Sequence, residues 1–370
     1  MRRPILPTAG ALLTLGLLVA CTPQPADPGP ADQTSGPPSE TLRDTAPEGM
    51  VIGVAVAGGG HNLQTDFPNP FMDDPEYREV LATQFSSVTA ENQMKWELIH
   101  PRQDTYDFEP ADAIVEFAEE NGQDVRGHTL LWHSQNPTWL ENGDFTPDEL
   151  RDILREHIET VVGRYAGRID QWDVANEVID DDGQLRTQDN IWIRELGVEI
   201  IADAFRWAHE ADPDALLFLN DYNAEWIGPK SDAYLELATE LLADGVPLHG
   251  FGVQGHLSTE YNFPGDMAQN LQRFADLGLV TAVTEADVRM KLPPDGVPTE
   301  AQLEEQADYY RRALEACLDV DGCDSFTVWG LTDRYSWVPY FFSGEGAATL
   351  LTEDHEAKPA FHALLAALAG

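Results

Sequence analysis

From residue 49 onward, short apolar runs alternate with longer stretches whose apolar positions recur every three or four residues. The first pattern is typical of buried β-strands and the second of amphipathic helices. The alternation therefore predicts a chain built from repeated strand–helix units. The predicted strands are Val51–Ala57, Ser87–Thr89, Asp124–Leu130, Ile169–Val174, Leu216–Asn220, Gly250–Gln254, Val280–Thr284 and Ser325–Trp329.

The helical pattern is clearest after Thr146, which can cap a helix and is followed by Pro147, a residue that suits the first helical position. Apolar residues at helical spacing then continue over 150–165. Further helices are predicted at Asn190–His209, Asp232–Ala243, Thr299–Leu318 and Pro359–Leu368.

Eight strands alternating with helices over about 320 residues predict an α/β fold, a (β/α)8 TIM barrel forming a single domain over residues 48–370. The alternative is an open doubly wound sheet, which requires a Gly-rich phosphate turn after its first strand. The glycines 58–60 follow that strand, but Leu63 stands where the last glycine of the motif belongs. We therefore favour the barrel.

The first residues of the chain are typical of a signal peptide over 1–21. Arg2 and Arg3 precede an apolar stretch over residues 5–20, which is short for a membrane span. Because Cys21 follows directly, the segment resembles a bacterial lipoprotein signal. That resemblance implies a lipid on the Cys21 thiol and an exported protein anchored on the outer side of a membrane. Plain secretion to the medium and a transmembrane anchor are the alternatives.

Residues 22–47 contain seven prolines and almost no large apolar side chain. Such a segment cannot bury enough apolar surface to fold, so we expect a stiff, disordered linker.

The charge of the chain excludes one class of function. Lys and Arg number 22 and Asp and Glu number 65, which gives a formal net charge of −43. Nucleic-acid-binding proteins need a basic surface, so we expect no nucleic-acid partner. The acidic surface either limits aggregation by self-repulsion or reflects a salty habitat in which that repulsion is screened.

The two remaining cysteines, Cys317 and Cys323, flank the turn residues Asp321 and Gly322. In an exported protein this turn allows the two thiols to be bridged. The sequence has no C-x-x-C pair and no H-E-x-x-H motif, so we expect no metal site.

In a barrel of this class, functional side chains lie at the C-terminal ends of the strands. Here those segments carry amides, carboxylates, imidazoles and indoles. This mixture suits a sugar, because the polar groups bond vicinal hydroxyls and indole rings stack on the apolar faces of pyranose rings. The segments are residues 89–96, 127–139, 172–177, 220–223, 252–256, 284–287 and 327–330.

Glu177 and Glu285 follow the fourth and seventh strands, on opposite sides of the barrel mouth. Hydrolysis of a glycosidic bond needs one carboxyl to protonate the leaving oxygen and another to attack the anomeric carbon or activate water. Alternatively, each glutamate pairs with a cation, of which Lys95 is the nearest obvious one. Two glutamates among amides and indoles favour catalysis.

These segments closely resemble glycoside hydrolase family 10, the endo-β-1,4-xylanases, over residues 49–370. The resemblance implies hydrolysis of internal bonds of xylan and xylo-oligosaccharides with retention of configuration, without a cofactor. We expect a monomer. The matching motifs are Glu91–Lys95, Gly127–Trp139, Trp172–Glu177, Gly252–His256, Thr284–Asp287 and Thr327–Trp337.

The resemblance also implies the role of each site residue. Glu177 resembles the general acid/base and Glu285 the nucleophile that forms a glycosyl-enzyme, with their carboxyls about 5–5.5 Å apart. The implied supporting residues are His256 against the nucleophile, Asp287 orienting His256, Gln254 against the acid, and Asn176 at the 2-hydroxyl. The residues that resemble the sugar-binding set are Glu91, Asn92, Lys95, His128, Trp132, Gln135, Trp329 and Trp337.

Other polar and aromatic residues near these motifs are expected to be structural. Trp96, Trp139 and Trp172 are expected to pack in the core, His133 to be a structural histidine and Asp173 to brace the mouth. Asp221 and Asn223 are left open between a structural and a functional role. Cys317 and Cys323 match a disulfide found in some family members.

The polar residues crowded at the strand ends argue against a lipoprotein whose barrel is only structural, which leaves two rival functions from the sequence. One is a related barrel glycosidase that acts on β-1,4-glucan or aryl xylosides. The other is a sugar-binding protein without catalysis, which would be expected to have lost one of the two glutamates.

Overall fold

The computed structural model describes residues 40–60 and 67–370. The predicted signal segment 1–21, with Cys21, lies outside the described residues, as does most of the predicted linker 22–47.

Eight parallel strands close into a barrel, in which β1 pairs with β2 on one side and with β9 on the other. Two short strands, β7 and β10, pair with the outer half of β8. The strands are β1 (Val51–Val56), β2 (Ser87–Ala90), β3 (Asp124–Leu131), β4 (Gln171–Asn176), β5 (Leu216–Asp221), β6 (Gly250–Val253), β7 (His256–Ser258), β8 (Val280–Lys291), β9 (Cys323–Val328) and β10 (Glu345–Gly346).

Helices connect the barrel strands, which gives the (β/α)8 TIM barrel expected from the sequence. They are α1 (Leu42–Thr45), α2 (Pro70–Asp73), α3 (Pro75–Gln84), α4 (Trp96–Ile99), α5 (Glu109–Glu120), α6 (Thr138–Glu141), α7 (Pro147–Arg164), α8 (Ile191–Leu196), α9 (Glu199–Ala211), α10 (Pro229–Ala243), α11 (Met267–Ala275), α12 (Glu300–Leu318), α13 (Val338–Phe341) and α14 (Pro359–Ala369). Thr146 caps α7 through a reciprocal bond with Glu149, as its sequence predicts.

All eight predicted barrel strands are present, with shifted ends. The largest shift concerns β8, which was expected to end at Thr284 but continues to Lys291 because its outer half pairs with β7 and β10. The prediction of a single helix over Asn190–His209 is wrong, because two helices occupy this range. Gly197 adopts a left-handed φ of 82° and ends α8, so that a second helix begins after it.

The folded domain begins before the predicted boundary at residue 48. Leu42 in α1 is fully buried in the core, and the Arg43 guanidinium donates hydrogen bonds to the carbonyls of Ala82 and Asn121. Residues 41–46, which were assigned to the linker, are therefore packed on the barrel. Leu42 and Arg43 thus anchor this segment to the folded domain despite its polar composition.

Large side chains fill the core between the barrel strands and the helices, and small residues make room for them. A side chain at Gly127 on β3 would lie 2.2 Å from the indole of Trp172 on β4. Trp172 is fully buried, as is Trp96, in agreement with the packing roles expected for both.

Two further features complete the fold. The expected disulfide between Cys317 and Cys323 is confirmed and joins the end of α12 to the start of β9, with the two Cα atoms 5.3 Å apart. No helix among the described residues combines the length and apolar character that a membrane-crossing segment needs.

Candidate active site

A cleft of about 690 Å³ opens at the C-terminal ends of the barrel strands. Most of the predicted site residues line it: Glu91, Asn92, Lys95, His128, Trp132, Gln135, Glu177, Gln254, His256, Glu285, Trp329 and Trp337. The other two, Asn176 and Asp287, lie behind this surface and contact residues that form it. The lining residues that the sequence did not single out for a role are Glu97, Ser134, Tyr222, Arg289, Phe341 and Phe342.

Glu285 is held by donors on both carboxylate oxygens. Its Oε1 accepts a hydrogen bond from Asn220 Nδ2 at 2.8 Å, and its Oε2 lies 3.3 Å from His256 Nε2. Burial by itself would raise the pKa of Glu285, but the imidazoles of His128 and His256 outweigh it and lower this pKa below its ordinary value. Glu285 is therefore a carboxylate at neutral pH, as a nucleophile must be.

His256 lies between two carboxylates. Its Nδ1 is 3.0 Å from Asp287 Oδ2, and the Trp337 indole donates to that same oxygen at 2.8 Å. Burial lowers the pKa of His256, but Asp287 and Glu285 together outweigh burial and raise it to about 10. The ring is therefore an imidazolium at neutral pH and stabilises the Glu285 anion.

The His256→Asn variant is expected to move the acid limb of the kcat/KM profile to higher pH by about one unit. The sign follows from the charge: without the imidazolium, the pKa of Glu285 rises, so more protons compete for the nucleophile at a given acidic pH. The measurement is kcat/KM against pH for the variant, the wild type and His362→Asn, an exposed control on α14. An unchanged acid limb in His256→Asn would show that this imidazole does not set the charge of Glu285.

Glu177 has a different environment. Its Oε1 accepts a hydrogen bond from the neutral amide of Gln254 at 3.0 Å, and its Oε2 lies 3.7 Å from His133 Nδ1. Burial lowers the pKa of His133 more than Glu177 raises it, so this ring is uncharged near pH 7. His133, expected to be a structural histidine, thus lies beside Glu177.

The backbone at Glu177 is in the left-handed region, with φ of 53°. This conformation costs a non-glycine residue about 1–3 kcal/mol and persists where the surroundings impose it. Here the Glu177 N–H donates to the Asn220 carbonyl at 2.9 Å, which fixes the turn that directs the side chain into the cleft.

Asn220 connects the two glutamates and was not given a role from the sequence. Its Nδ2 donates to Glu285 Oε1, and its Oδ1 accepts from the Thr284 hydroxyl at 2.6 Å. The neighbouring Asn176 amide has two possible orientations. In one its oxygen accepts from Asn220 Nδ2 at 2.9 Å, and in the other it accepts from the Trp132 indole at 3.2 Å. In the first orientation the Asn176 amide also donates to Glu177 Oε1 at 3.4 Å, which ties Glu177 and Glu285 into one polar network.

One end of the cleft is a polar pocket around Lys95. Its Nζ donates to Asn92 Oδ1 at 3.2 Å and to Gln135 Oε1 at 3.0 Å, and it lies 5.0 Å from the ring centroid of Trp132. Burial raises the pKa of the neighbouring Glu91 to about 7, against the opposing charge of Lys95. This end therefore offers both donors and acceptors for hydroxyl groups beside an indole surface.

Asp173 braces the mouth, as expected. The Arg126 guanidinium donates to both of its carboxylate oxygens, and His128 Nδ1 lies 2.9 Å from its Oδ2. These contacts fix the ring of His128, which lies 4.0 Å from Glu285 Oε1.

The opposite end of the cleft is formed by Tyr222 and Asn223 from the end of β5. The Lys230 ammonium lies 3.6 Å from the Tyr222 ring centroid, and Arg186 donates to the Tyr222 hydroxyl at 2.7 Å. Asp221 lies behind them, fully buried and 2.9 Å from Lys230 Nζ. The structure thus places Asn223 in the cleft wall and Asp221 in its support.

Within residues 40–60 and 67–370, no three or more His, Cys, Asp or Glu side chains are grouped so that they could hold a metal ion.

Two glutamates that face one cleft from the fourth and seventh strands of a (β/α)8 barrel, between indole and amide surfaces, define a glycoside hydrolase. Comparison of the sequence with known families agrees: the pattern of glycosyl hydrolase family 10 matches residues 45–367. The chain belongs to this family, which confirms the resemblance seen in the sequence.

Similar proteins cover most of the chain. Endo-1,4-beta-xylanase B of Thermotoga neapolitana is 43% identical over 292 residues, which are 79% of this chain and 83% of that protein. An endo-1,4-beta-xylanase of Agaricus bisporus is 40% identical over 314 residues, 84% of this chain and 92% of that protein. The crystal structure of xylanase 10B from Thermotoga petrophila RKU-1 in complex with xylobiose superposes with a TM-score of 0.82 at 40% identity, covering 90% of this chain and 98% of that one.

Proposed function

We propose that the protein is an endo-1,4-β-xylanase, which hydrolyses internal β-1,4 bonds of xylan and xylo-oligosaccharides with retention of configuration. The observation that carries this proposal is the unequal environment of the two glutamates in one cleft. Glu285 faces the imidazolium of His256, whereas Glu177 accepts from the neutral amide of Gln254. We assign the first glutamate as the nucleophile and the second as the acid/base.

The reaction proceeds in two displacements. In the first, Glu285 attacks the anomeric carbon while Glu177 gives its proton to the departing glycosidic oxygen, which leaves with the reducing-side sugar. This step forms an ester between Glu285 and the remaining sugar. In the second, Glu177 takes a proton from water, the water oxygen attacks the same carbon, and Glu285 leaves as a carboxylate. Two inversions give net retention.

The supporting residues keep each glutamate in its role. Asp287 holds the His256 ring against Glu285, and Asn220 donates to the other oxygen of that carboxylate. Asn176, which adjoins Glu177 in the chain, is proposed to bond the sugar 2-hydroxyl, a contact that strengthens as charge develops at the anomeric carbon.

Endo-action is supported by the extent of the cleft. Its lining includes residues from the end of β2, around Lys95, and from the end of β5, around Tyr222. Sugar units can therefore be held on both sides of the glutamates, as cleavage inside a chain requires. The relatives named above as xylanases support xylan as the polymer.

Hydrolysis of unbranched xylan and of soluble β-1,4-glucan by the purified protein tests this function. The expected result is a mixture of xylo-oligosaccharides from xylan and little release from glucan. Cleavage of glucan with xylan left intact would show that the substrate is β-1,4-glucan and not xylan. Binding of xylan without cleavage would indicate a sugar-binding protein.

We further propose that the protein is exported and anchored to the outer side of a bacterial membrane through a lipid on Cys21. The charged start, the short apolar stretch and the cysteine that follows it support this location. Secretion to the medium is the alternative.

Cys21→Ser is expected to shift the protein from the membrane fraction to the soluble fraction. The lipid is attached to the cysteine sulfur as a thioether, and serine has no sulfur. The full-length chain is expressed in a bacterial host with a radiolabelled fatty acid, and label and activity are followed in each fraction. Continued membrane association of the unlabelled variant would reject lipid anchoring.

A further inference from the structure

A buried tyrosine outside the cleft contacts the backbone next to Glu177. Tyr234 lies on α10, is fully buried and does not line the cleft. Its hydroxyl oxygen accepts a hydrogen bond at 3.0 Å from the backbone N–H of Val178, the residue that follows Glu177. Because that N–H is a donor, the hydroxyl hydrogen is free for another group, and it is donated to Asp221 Oδ2. The hydroxyl therefore joins the turn after β4 to the end of β5.

This contact bears on how the Glu177 side chain is presented. Glu177 has a left-handed φ of 53°, a conformation that its surroundings must hold. The direction of its side chain depends on the two peptide planes that flank its Cα atom. The plane before it is fixed by the Glu177 N–H, which donates to the Asn220 carbonyl at 2.9 Å. The plane after it contains the Val178 N–H, so the Tyr234 hydroxyl fixes this second plane.

Tyr234 is itself held in place from two sides. Asp221, which accepts its hydroxyl hydrogen, is fully buried. The other oxygen of that carboxylate accepts from the backbone N–H of Tyr222 at 2.8 Å and lies 2.9 Å from Lys230 Nζ. The Tyr234 ring packs against Phe251 on β6, with 5.3 Å between the ring centroids. The hydroxyl oxygen is thus fixed between a firmly held carboxylate and the turn after β4.

We propose that Tyr234 is a positioning residue for Glu177, whose backbone it holds so that the carboxyl reaches the departing glycosidic oxygen. This inference rests on the proposed function and adds to it a residue that contacts neither the substrate nor the reacting atoms. Without the hydroxyl, the second peptide plane loses this restraint and the Glu177 carboxyl is less often in reach of that oxygen. Protonation of the leaving group then slows, whereas attack by Glu285 does not.

The test separates protonation of the leaving group from the rest of the reaction. Phenyl β-xylobioside needs an acid because phenoxide leaves poorly, whereas dinitrophenyl β-xylobioside releases its phenol as an anion. Tyr234→Phe keeps the ring and removes only the hydroxyl. It is expected to lower kcat/KM for the phenyl substrate about tenfold. Its kcat/KM for the dinitrophenyl substrate is expected to equal that of the wild type, which would also show that the variant is folded.

Tyr165→Phe is the matched control. Tyr165 is also fully buried, and its hydroxyl also donates to an aspartate, Asp112 Oδ1, at 3.0 Å. It follows α7 and precedes β4, at the other end of that strand from Glu177. Removal of this hydroxyl is expected to leave kcat/KM for both substrates unchanged.

A second measurement tests whether Tyr234 acts through Glu177. In the Glu177→Ala background there is no carboxyl left to position. Adding Tyr234→Phe to that variant is therefore expected to cause no further loss of kcat/KM on phenyl β-xylobioside. Losses that multiply in the double variant would show that Tyr234 acts independently of Glu177 and would overturn the inference.

Other outcomes reject the inference in distinct ways. Equal kcat/KM of wild type and Tyr234→Phe on the phenyl substrate would show that the hydroxyl is not needed to hold Glu177. An equal loss on both substrates would make Tyr234 a support of the whole site. A wild-type protein that hydrolyses neither xylobioside would overturn the proposed function itself, and the inference with it.

Discussion

Glu285→Gln is expected to abolish hydrolysis of xylan, with kcat reduced by at least about 10⁴-fold, as is typical for loss of a catalytic nucleophile. The amide has the shape of the carboxylate but cannot form the ester intermediate. Because Asn220 and His256 lie against the two carboxylate oxygens, the substitution changes their hydrogen-bond partner while leaving the volume of the site unchanged. Turnover is measured on xylan and on an activated aryl xylobioside.

The control for this variant is Glu236→Gln, an exposed glutamate on α10, which is expected to keep full activity. A second test uses Glu285→Ala with added azide, which occupies the space of the missing carboxylate. Azide is expected to displace the activated leaving group and give a glycosyl azide of inverted configuration. Turnover at the wild-type rate in Glu285→Gln would contradict the assignment of Glu285 as the nucleophile.

Glu177→Ala is expected to slow substrates according to how much their leaving group needs a proton. On xylan, whose leaving group is a sugar alkoxide, we expect kcat/KM to fall about 10²–10⁴-fold. On an aryl xylobioside whose phenol leaves readily as an anion, the first displacement needs no acid and kcat/KM is expected to change little. The measurement is a series of aryl xylobiosides of graded phenol acidity.

The expected signature is a steep dependence of log kcat/KM on phenol acidity in Glu177→Ala and a shallow one in the wild type. Glu236→Gln again serves as the control for a change at a distant glutamate. If kcat/KM falls by the same factor for substrates with good and with poor leaving groups, Glu177 is not the acid. A role in positioning the substrate would then account for the loss.

The barrel could be predicted from the sequence because each of its strands is a short buried run bounded by polar segments. The bounds of β8 could not, since its outer half owes its strand conformation to β7 and β10. These pairings join Asp287 to His256 and Lys291 to Glu345, and local apolar pattern carries no information about such distant partners.

The boundary of the folded domain illustrates the same limit. The segment around Leu42 has the composition of a linker, yet this one side chain is fully buried and Arg43 donates to a carbonyl of α3 and to a carbonyl at the end of α5. Composition averages over a window, whereas docking depends on single side chains that meet a complementary surface.

Most of the site could be predicted because the residues that form it follow directly after barrel strands, where the topology brings them together. What the sequence did not indicate were relations between side chains. Asn220 was noted only as part of a strand end, but its contact with Glu285 spans 65 positions of the chain. His133 was expected to be structural, and its proximity to Glu177 depends on how its loop folds over the cleft.

The pH behaviour of the site likewise required the structure. Asp287 lies two positions after Glu285, a spacing that by itself predicts repulsion between two carboxylates. The structure places His256 between them, which raises the pKa of that imidazole to about 10 and lowers the pKa of Glu285. The charge of this group of three residues is therefore set by the β7–β8 pairing.

The most direct test of the two-displacement account is the anomeric configuration of the first products released from xylo-oligosaccharides, followed by proton NMR during the first minutes of reaction. The account predicts that the β-anomer appears first and that the α-anomer grows in later by mutarotation. Initial release of the α-anomer would mean a single displacement by water, and would contradict the assignment of Glu285 as a nucleophile.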